Sequence, residues 1–302
     1  MLQAVGNPNL RPNSDVVVPY LVADDITGRP MDRFIVDFRS MSSAEAASYE
    51  APFAYIAPVR QHRAAMSQPE ALETWWMHWR SRPEMREALA TLPRFVCTPR
   101  VAKHRVFVWA RPPMLADNAV VVFARSDDTF FGILHSAIHA VWSLRMGTAL
   151  EDRPRYTSTT SFQTFPFPSG LAPNVAAADY AQDSRAVRIA ESAKRLNQLR
   201  ENWLNPPELV NWVPDVVPGF PDRIVPKSDS AERELRKRTL TRLYNARPQW
   251  LVNTHAELDE AVAAAYGLPW PLSAQETLDR LFELNQSRVA TSKSPMVVME
   301  EP

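Results

Sequence analysis

The sequence predicts an α+β protein in which a mixed α/β part with a small sheet is followed by a helical bundle. Up to about residue 172, short apolar segments bounded by turn residues alternate with helix-like segments. Beyond it, apolar residues recur at spacings of three and four, which is typical of helices. The 302 residues also exceed the usual size of one domain. We therefore predict two domains, residues 1–172 and 173–302, with a boundary within Pro166–Pro173.

Four strands and three helices are predicted in the first part. The strands are expected at Arg33–Phe38, Arg94–Thr98, Arg105–Trp109 and Ala119–Ala124, and the last three would form the core of the sheet. Two short helices are expected at Ser43–Tyr49 and Pro83–Leu92. A longer one would begin at an N-cap formed by Asp127 or Asp128 and continue to about Met146, with Gly147 as its stop.

The second part is expected to be helical throughout. Its predicted helices are Ser184–Leu204, Ala231–Ala246, Pro248–Tyr266 and Ser273–Arg288. The last of them opens with Ser273-Ala274-Gln275-Glu276, a capping box that marks a helix N-terminus. A connection rich in proline and valine is expected between the first and second of these helices.

Composition limits the classes of protein to which the chain can belong. Its one cysteine, Cys97, cannot form an internal disulfide, and the N-terminal residues lack the pattern of a signal peptide. We therefore expect a cytoplasmic protein, and one without a membrane role, since no apolar run approaches the roughly 18 residues that span a bilayer. Glycine is scarce, at seven residues against 27 prolines, which indicates stiff connections.

Formal net charge is zero, yet the charge is unevenly distributed. Between Arg60 and Arg111, ten Arg or Lys side chains stand against four acidic ones, a balance of 10 − 4 = +6. Arginine suits bidentate contacts with phosphate and guanine. A solvated basic face explains the count equally well, so the charge alone does not decide between a surface of ordinary composition and a nucleic-acid interface.

Three sequence features bear on catalytic or cofactor chemistry. His135 and His139 have the i, i+4 spacing of zinc proteases, but the glutamate of that motif is missing and no third ligand is evident. Asn205-Pro206-Pro207-Glu208 resembles the Asn-Pro-Pro-aromatic motif of amino-methyltransferases, but an acid replaces the aromatic, so we interpret it as a helix terminator. The scattered glycines offer no loop for S-adenosylmethionine. We expect no catalytic residue, no metal and no cofactor in this chain.

Eight stretches, in order along the chain, carry a resemblance to a known family. They are RPNSDVVVPYLVADDITGRP (11–30), FIVDF (34–38), YEAPF (49–53), RPEMREALATLPRFVCTPRVAKHRVFVW (82–109), FFGILHSAIHAVWSLRMGT (130–148), PRYTSTTSFQTFPFP (154–168), LRKRTLTRLYNARPQWL (235–251) and LDEAVAAAYG (258–267). In them the chain resembles the C-terminal part of the MmeI-like DNA methyltransferases, which methylate adenine N6 in restriction-modification and phage-defence systems. The resemblance implies a target recognition domain in residues 1–172 and a C-terminal helical domain in 173–302.

The resemblance also implies which residues would contact DNA. Those expected to read bases, on the loop that ends in Arg-Tyr-Thr, are Glu151, Arg153, Arg155, Tyr156 and Thr157. Those expected to contact the backbone or groove are Arg82, Arg100, Lys103, His104 and Arg105. The partners implied are double-stranded DNA and a catalytic methyltransferase domain or subunit. Because the cofactor loop and catalytic motif are missing here, S-adenosylmethionine is expected only in that catalytic part.

Two other hypotheses remain open. The helical part would instead serve mainly to dock a methyltransferase or another defence subunit, with little DNA binding by this chain, an interpretation that zero net charge favours. A metal-dependent enzyme that uses His135 and His139 is the third hypothesis, and it would require bound zinc in the purified protein.

Overall fold

The structure is a computed structural model that describes residue 2, residue 7 and residues 9–66, 68–150, 153–214 and 217–291. It combines α-helices with small sheets of two or three strands. The α+β class predicted from the sequence is therefore confirmed. None of the helices in these ranges is both long and apolar enough to cross a membrane.

Most of the short elements lie in the first part of the chain. In chain order they are β1 (Val17–Leu21), α1 (Ala23–Thr27), β2 (Phe34–Val36), α2 (Ser43–Ala47), α3 (Glu50–Ala64), α4 (Glu70–Glu73), α5 (Pro83–Ala90), β3 (Phe95–Pro99), β4 (Val108–Ala110), β5 (Leu115–Ala116), β6 (Val120–Phe123), α6 (Asp128–His135), α7 (Ala137–Met146), β7 (Thr148–Leu150) and β8 (Arg153–Arg155). A π-helical turn, Ser158–Phe162, follows β8.

Two three-stranded sheets organise this part. In the first, β1 pairs antiparallel with β2 and parallel with β5. In the second, β3 is central and pairs antiparallel with β4 and with β6. All five residues of β3 (FVCTP) are buried, and the hydroxyl of its polar member, Thr98, donates to the Val106 carbonyl oxygen at 2.8 Å. The three predicted strands of this sheet are confirmed, although β4 begins at Val108 rather than at Arg105.

The long helix predicted from Asp127 or Asp128 to Met146 is instead two helices, α6 and α7, because the chain breaks at Ser136. The Ser136 hydroxyl donates to the Ile133 carbonyl oxygen at 2.7 Å, and its oxygen accepts the His139 amide hydrogen at 3.2 Å. The serine therefore ends one helix and caps the next. The predicted start and stop are confirmed, with Asp127 as the N-cap of α6 and Gly147 as the C-cap of α7.

The second part is dominated by helices. It contains a 3₁₀ turn (Ala177–Tyr180), α8 (Ser184–Leu204), β9 (Val210–Val213), β10 (Arg223–Pro226), α9 (Asp229–Leu235), α10 (Leu240–Ala246), α11 (Gln249–Ala265) and α12 (Ala274–Thr291). Helix α8 has the predicted bounds, and α11 and α12 match closely. The helix predicted over 231–246 is split, because Thr239 caps a new helix by accepting the Arg242 amide hydrogen at 3.2 Å. The predicted irregular connection contains the antiparallel pair β9–β10.

One apolar core joins the two parts. It includes Phe95 and Phe107 of the first part together with Ile189, Leu258 and Leu281 of the second. Helices α6 and α8 approach so closely that a Cβ on Gly132 would lie 2.7 Å from Cγ2 of Ile189. Since the core is continuous across residue 172, burial does not mark that boundary, and the division into 1–172 and 173–302 stays a prediction.

Candidate functional site

Strand β8 presents two arginines from its exposed face. Arg153 and Arg155 are exposed, whereas Pro154 between them is partly buried, as the two-residue period of a strand requires. The strand pairs antiparallel with β7, with Thr148 opposite Arg155. Glu151, which was predicted to read bases, falls outside the described residues. The hairpin β7–β8 thus places two of the five predicted base-reading residues on one surface.

A second predicted segment lies directly against this strand. Residues 100–102 pair with β8 through a bridge between Val101 and Arg155. The Tyr156 amide donates to the Arg100 carbonyl oxygen at 2.7 Å, and the Ala102 amide donates to the Pro154 carbonyl oxygen at 3.4 Å. The structure therefore brings together two segments, around Arg100 and Arg155, that the sequence predicted separately. The pairing between them was not predicted.

Lys103 and His104 follow the paired segment, and their environments differ. The Lys103 side chain is exposed. His104 is partly buried, and its Nε2 atom lies 2.8 Å from Oδ1 of Asn245 on α10, while its ring centroid lies 5.9 Å from that of Tyr244. His104 thus joins the candidate surface to the helical part. The contact links residues 141 positions apart, so no sequence pattern could have identified Asn245.

Arg105, predicted to grip DNA, is largely committed to contacts inside the protein. Its Nη1 atom donates to the Thr98 hydroxyl at 3.0 Å and to the Pro99 carbonyl oxygen, and Nη2 donates to the Pro154 carbonyl oxygen at 3.2 Å. Burial lowers the pKa of Arg105 to about 10, which leaves the side chain cationic at neutral pH. Arg100 is also partly buried. The geometry supports a structural role for Arg105 rather than a surface contact.

Tyr156 lies in the core, although it was predicted beside the base-reading arginines. Only 1% of its surface is exposed, and its ring packs edge-on against Phe107 with centroids 5.9 Å apart. Its hydroxyl lies 3.1 Å from Nε2 of His139. Burial raises the pKa of the Tyr156 phenol well above its ordinary value. The geometry does not support stacking of this ring on a base.

Hydrogen bonds to protein atoms occupy the ring nitrogens of both His135 and His139. The Nδ1 atom of His139 lies 2.9 Å from the Leu134 carbonyl oxygen, which only accepts, so Nδ1 carries the proton and Nε2 accepts from the Tyr156 hydroxyl. In His135, Nε2 accepts from the Phe107 amide at 3.1 Å and from Arg200 at 2.6 Å. Neither Nε2 lone pair is therefore available to a metal ion in this arrangement. Within the described ranges no group of three or more His, Cys, Asp or Glu side chains has a metal-binding arrangement.

Thr157 and Arg82 complete the predicted set. Thr157 is partly buried, and its hydroxyl shares a hydrogen bond with that of Thr160 at the start of the π-helical turn. Arg82 precedes α5 with a left-handed backbone, at φ 50° and ψ 58°, and is partly buried. It belongs to a different element from the strand pair at β8. Of the predicted backbone contacts, those from Arg100 to Arg105 therefore lie on or next to the segment paired with β8, whereas Arg82 lies on a separate element.

The basic stretch between Arg60 and Arg111 is not a uniform charged face. Arg63 donates to the Met77 carbonyl oxygen at 2.7 Å, and Arg86 forms an ion pair with Asp37. Arg94 pairs with Asp128 at 2.8 Å and stacks over the Trp109 ring at 3.7 Å. With Arg105, four of the ten cations thus hold the fold together. The local balance of +6 therefore overstates the charge available to a ligand.

Comparison with known proteins places this arrangement in a family. The model of the MmeI target recognition domain matches residues 9–169. A solved structure of the type IIL restriction-modification enzyme MmeI in complex with DNA matches with a TM-score of 0.66 and 18% sequence identity. That match covers 94% of this chain and 32% of the solved chain, so this chain spans about a third of the solved MmeI chain. No curated protein matches this chain.

At 18% identity the structural likeness shows a shared fold. The family match extends over more than half of the 302 residues and includes β3, the Arg100–Ala102 segment and β8. The chain belongs to the MmeI target recognition domain family.

Proposed function

We propose that this chain is the sequence-reading part of an adenine-specific DNA methyltransferase in a restriction-modification or phage-defence system. One observation carries the proposal: Arg153 and Arg155 are both exposed on one face of β8. This strand is paired with the Arg100–Ala102 segment. Paired strands are narrow enough to enter a major groove, where arginine makes bidentate contacts with guanine. The family match supports the same conclusion.

In this proposal the chain positions the duplex, and the chemistry belongs to a catalytic domain in the same longer protein or in a partner. That domain would flip the target adenine and transfer a methyl group to it. Specificity would come from Arg153, Arg155 and Glu151, and affinity from exposed cations such as Lys103. The described glycines, such as Gly132 and Gly147, lie singly rather than in a Gly-rich loop between a strand and a helix, so these residues do not fit S-adenosylmethionine.

The test is a selection of duplexes from a random-sequence library by the 302-residue chain, followed by affinity measurements on the selected and a scrambled duplex. We expect Arg155→Ala to reduce the ratio of the two affinities by about 10-fold to 100-fold, which corresponds to the loss of one bidentate base contact. Arg280→Ala is the matched control, since Arg280 is exposed on α12 and pairs with exposed Glu283. Equal losses on both duplexes would remove Arg155 from base readout.

Docking of a catalytic chain by the helical part is the second candidate function. Zero net charge and the commitment of four cations to the fold favour it. It predicts little duplex binding by this chain even at about 50 mM salt, where electrostatic binding is strong, together with capture of a methyltransferase chain in a pull-down. Selection of a defined sequence by the isolated chain would reject it as the main function.

A further inference from the structure

Arg105 and Tyr156 contact each other at the strand that carries the two exposed arginines, Arg105 through Pro154 and Tyr156 as the residue after Arg155. The Arg105 guanidinium lies over the Tyr156 ring, with Cζ 5.0 Å from the ring centroid. The same guanidinium donates to the Pro154 carbonyl oxygen at 3.2 Å. Pro154 separates Arg153 from Arg155, so this hydrogen bond acts on the one residue of β8 that both exposed arginines flank.

The main chain of Pro154 can form hydrogen bonds only through its carbonyl oxygen, because proline has no amide hydrogen. Two donors hold it, the Ala102 amide at 3.4 Å and Nη2 of Arg105. The longer of the two is a weak bond, so the guanidinium supplies much of the restraint on this peptide. Turning the Pro154 carbonyl away from Arg105 would rotate the strand and redirect the side chains on either side of it.

Tyr156 fixes the other end of the strand to the core. Its amide donates to the Arg100 carbonyl oxygen at 2.7 Å, and its hydroxyl donates to Nε2 of His139 on α7. His139 is fully buried, and its Nδ1 proton is held by the Leu134 carbonyl oxygen at 2.9 Å. Tyr156 therefore connects the end of β8 to α7 through His139, whose ring orientation is set by its own hydrogen bond to Leu134.

We propose that Arg105 and Tyr156 are positioning residues for base readout, which aim Arg153 and Arg155 outward without touching DNA themselves. This inference rests on the proposed function, because it assigns these two residues a part in the specificity of that same surface. The resemblance implied that Arg105 contacts the DNA backbone or groove, and the inference replaces that role with a positioning role. A guanidinium whose fork is already bound to Thr98 and Pro154 has few donors left for a phosphate.

Two conservative variants test the inference. Arg105→Lys keeps the positive charge but loses the planar fork that reaches two acceptors at once. Tyr156→Phe keeps the ring under the guanidinium and removes only the hydroxyl. Their matched controls are Arg280→Lys and Tyr55→Phe, since Tyr55 is 70% exposed. Thermal unfolding of all four variants establishes that each is folded before the measurements below.

The first measurement is hydrogen exchange of the Tyr156 amide in the full chain without DNA. We expect exchange at this amide to be about 10-fold faster in Arg105→Lys than in the wild-type chain, the effect of losing one hydrogen bond of ordinary strength. We expect the wild-type rate in Arg280→Lys. Wild-type protection of this amide in Arg105→Lys would overturn the inference, because the strand would then be held without the guanidinium.

The second measurement uses the duplex that the wild-type chain selects from a random-sequence library, and a scrambled duplex. For Arg105→Lys and Tyr156→Phe we expect the affinity ratio of the two duplexes to fall about 10-fold, with an unchanged slope of log K against log salt. A third variant, Arg105→Ala, removes the positive charge: a slope smaller by about one unit in this variant, with equal losses on both duplexes, would show a direct phosphate contact and overturn the inference. If the wild-type chain selects no sequence, the proposed function fails, while the exchange rates still decide whether the pair holds the strand.

Discussion

Gly147 lies in contact with the carbonyl oxygen of Arg155: a Cβ added to this glycine would lie 2.7 Å from that oxygen. It would also lie 2.6 Å from the Ser143 carbonyl oxygen. Both neighbours are main-chain atoms, so neither can move without shifting α7 or β8. The glycine therefore allows the helix end to approach the strand that carries the two exposed arginines.

We expect Gly147→Ala to lower the free energy of unfolding by about 1–3 kcal/mol, the usual cost of overpacking. The backbone of Gly147 is extended, at φ −78°, so the cost comes from the contact and not from the backbone conformation. Urea denaturation measures it. Gly219→Ala is the comparison, because a Cβ there meets nothing within 4 Å and costs only the strain of φ +90°. A larger loss of base discrimination in Gly147→Ala than in Gly219→Ala is also expected, and equal effects would contradict the contact.

The exposed Lys103 is expected to bind phosphate rather than bases. Lysine is a point charge without a directional fork, so its contribution to duplex binding is electrostatic. Lys103→Ala should weaken binding to the selected and scrambled duplexes alike and reduce the slope of log K against log salt by about one. Lys237→Ala is the control, since Lys237 is exposed on the helical part and already pairs with Glu234. A selective loss on the selected duplex would assign Lys103 to base readout.

The parts of the fold that could be predicted are those in which a single period of apolar residues dominates. Helix α8 has its predicted bounds because apolar residues recur along it at spacings of three and four, although the buried face includes Ile189, Ala193 and Leu196 while Val187 is exposed. Strand β3 is apolar apart from Thr98 and ends at Pro99. The break between α6 and α7 could not be predicted in this way, because apolar residues continue across it. It depends on two hydrogen bonds of the Ser136 side chain, one to the Ile133 carbonyl oxygen and one from the His139 amide.

The candidate site shows the same limit. Arg153 and Arg155 could be assigned to one surface from their i, i+2 spacing once β8 was known to be a strand. The three-residue strand Arg-Pro-Arg carries no apolar alternation, so its existence depends on pairing with β7 and with residues 100–102. The burial of Arg105 and Tyr156 depends on those long-range contacts too, and their residue types favoured a surface role.

Stability is expected to fall as the pH is lowered from 7 to 5. Burial lowers the pKa of His139 to about 3 and that of His255 to about 4, both below the ordinary value near 6.5. The unfolded chain then binds more protons than the folded one, so the free energy of unfolding drops by about 1.4 kcal/mol per pH unit for each group below pH 6.5.

One buried acid opposes this trend. Burial raises the pKa of Asp259 to about 6, so the folded chain holds its proton more firmly than the unfolded chain, and stability from this group increases as the pH falls from 6 to 4. Burial also lowers the pKa of His135 well below 6.5, so three histidines against one acid leave a net loss on the order of 3–4 kcal/mol between pH 6.5 and pH 5. Urea denaturation at pH 5, 6 and 7 measures this loss. In His255→Gln the slope of the free energy of unfolding against pH should correspond to about one fewer proton taken up on unfolding. A flat profile over this range would contradict the burial of these rings.

Arg200 is a buried cation that holds the sheet to the helical part, and its replacement tests the electrostatics of the core. The side chain is 0% exposed, and it donates to the Phe107 carbonyl oxygen at 2.9 Å and to Nε2 of His135 at 2.6 Å. Its charge reinforces the effect of burial in lowering the pKa of His255. Arg200→Met removes this charge and leaves the Phe107 carbonyl oxygen without the guanidinium.

Two results are expected from Arg200→Met. The pKa of His255 should rise above about 4 but stay below 6.5, because burial, the larger cause, persists. The free energy of unfolding should fall by about 1–3 kcal/mol, the cost of an acceptor left unsatisfied in the core, partly offset by the desolvation that the cation no longer suffers. Arg195→Met on the same helix is the control, since Arg195 is exposed and pairs with Glu257 at 3.1 Å. NMR titration of the His255 ring and urea denaturation measure the two quantities, and an unchanged His255 pKa would show that the guanidinium charge does not act on this ring.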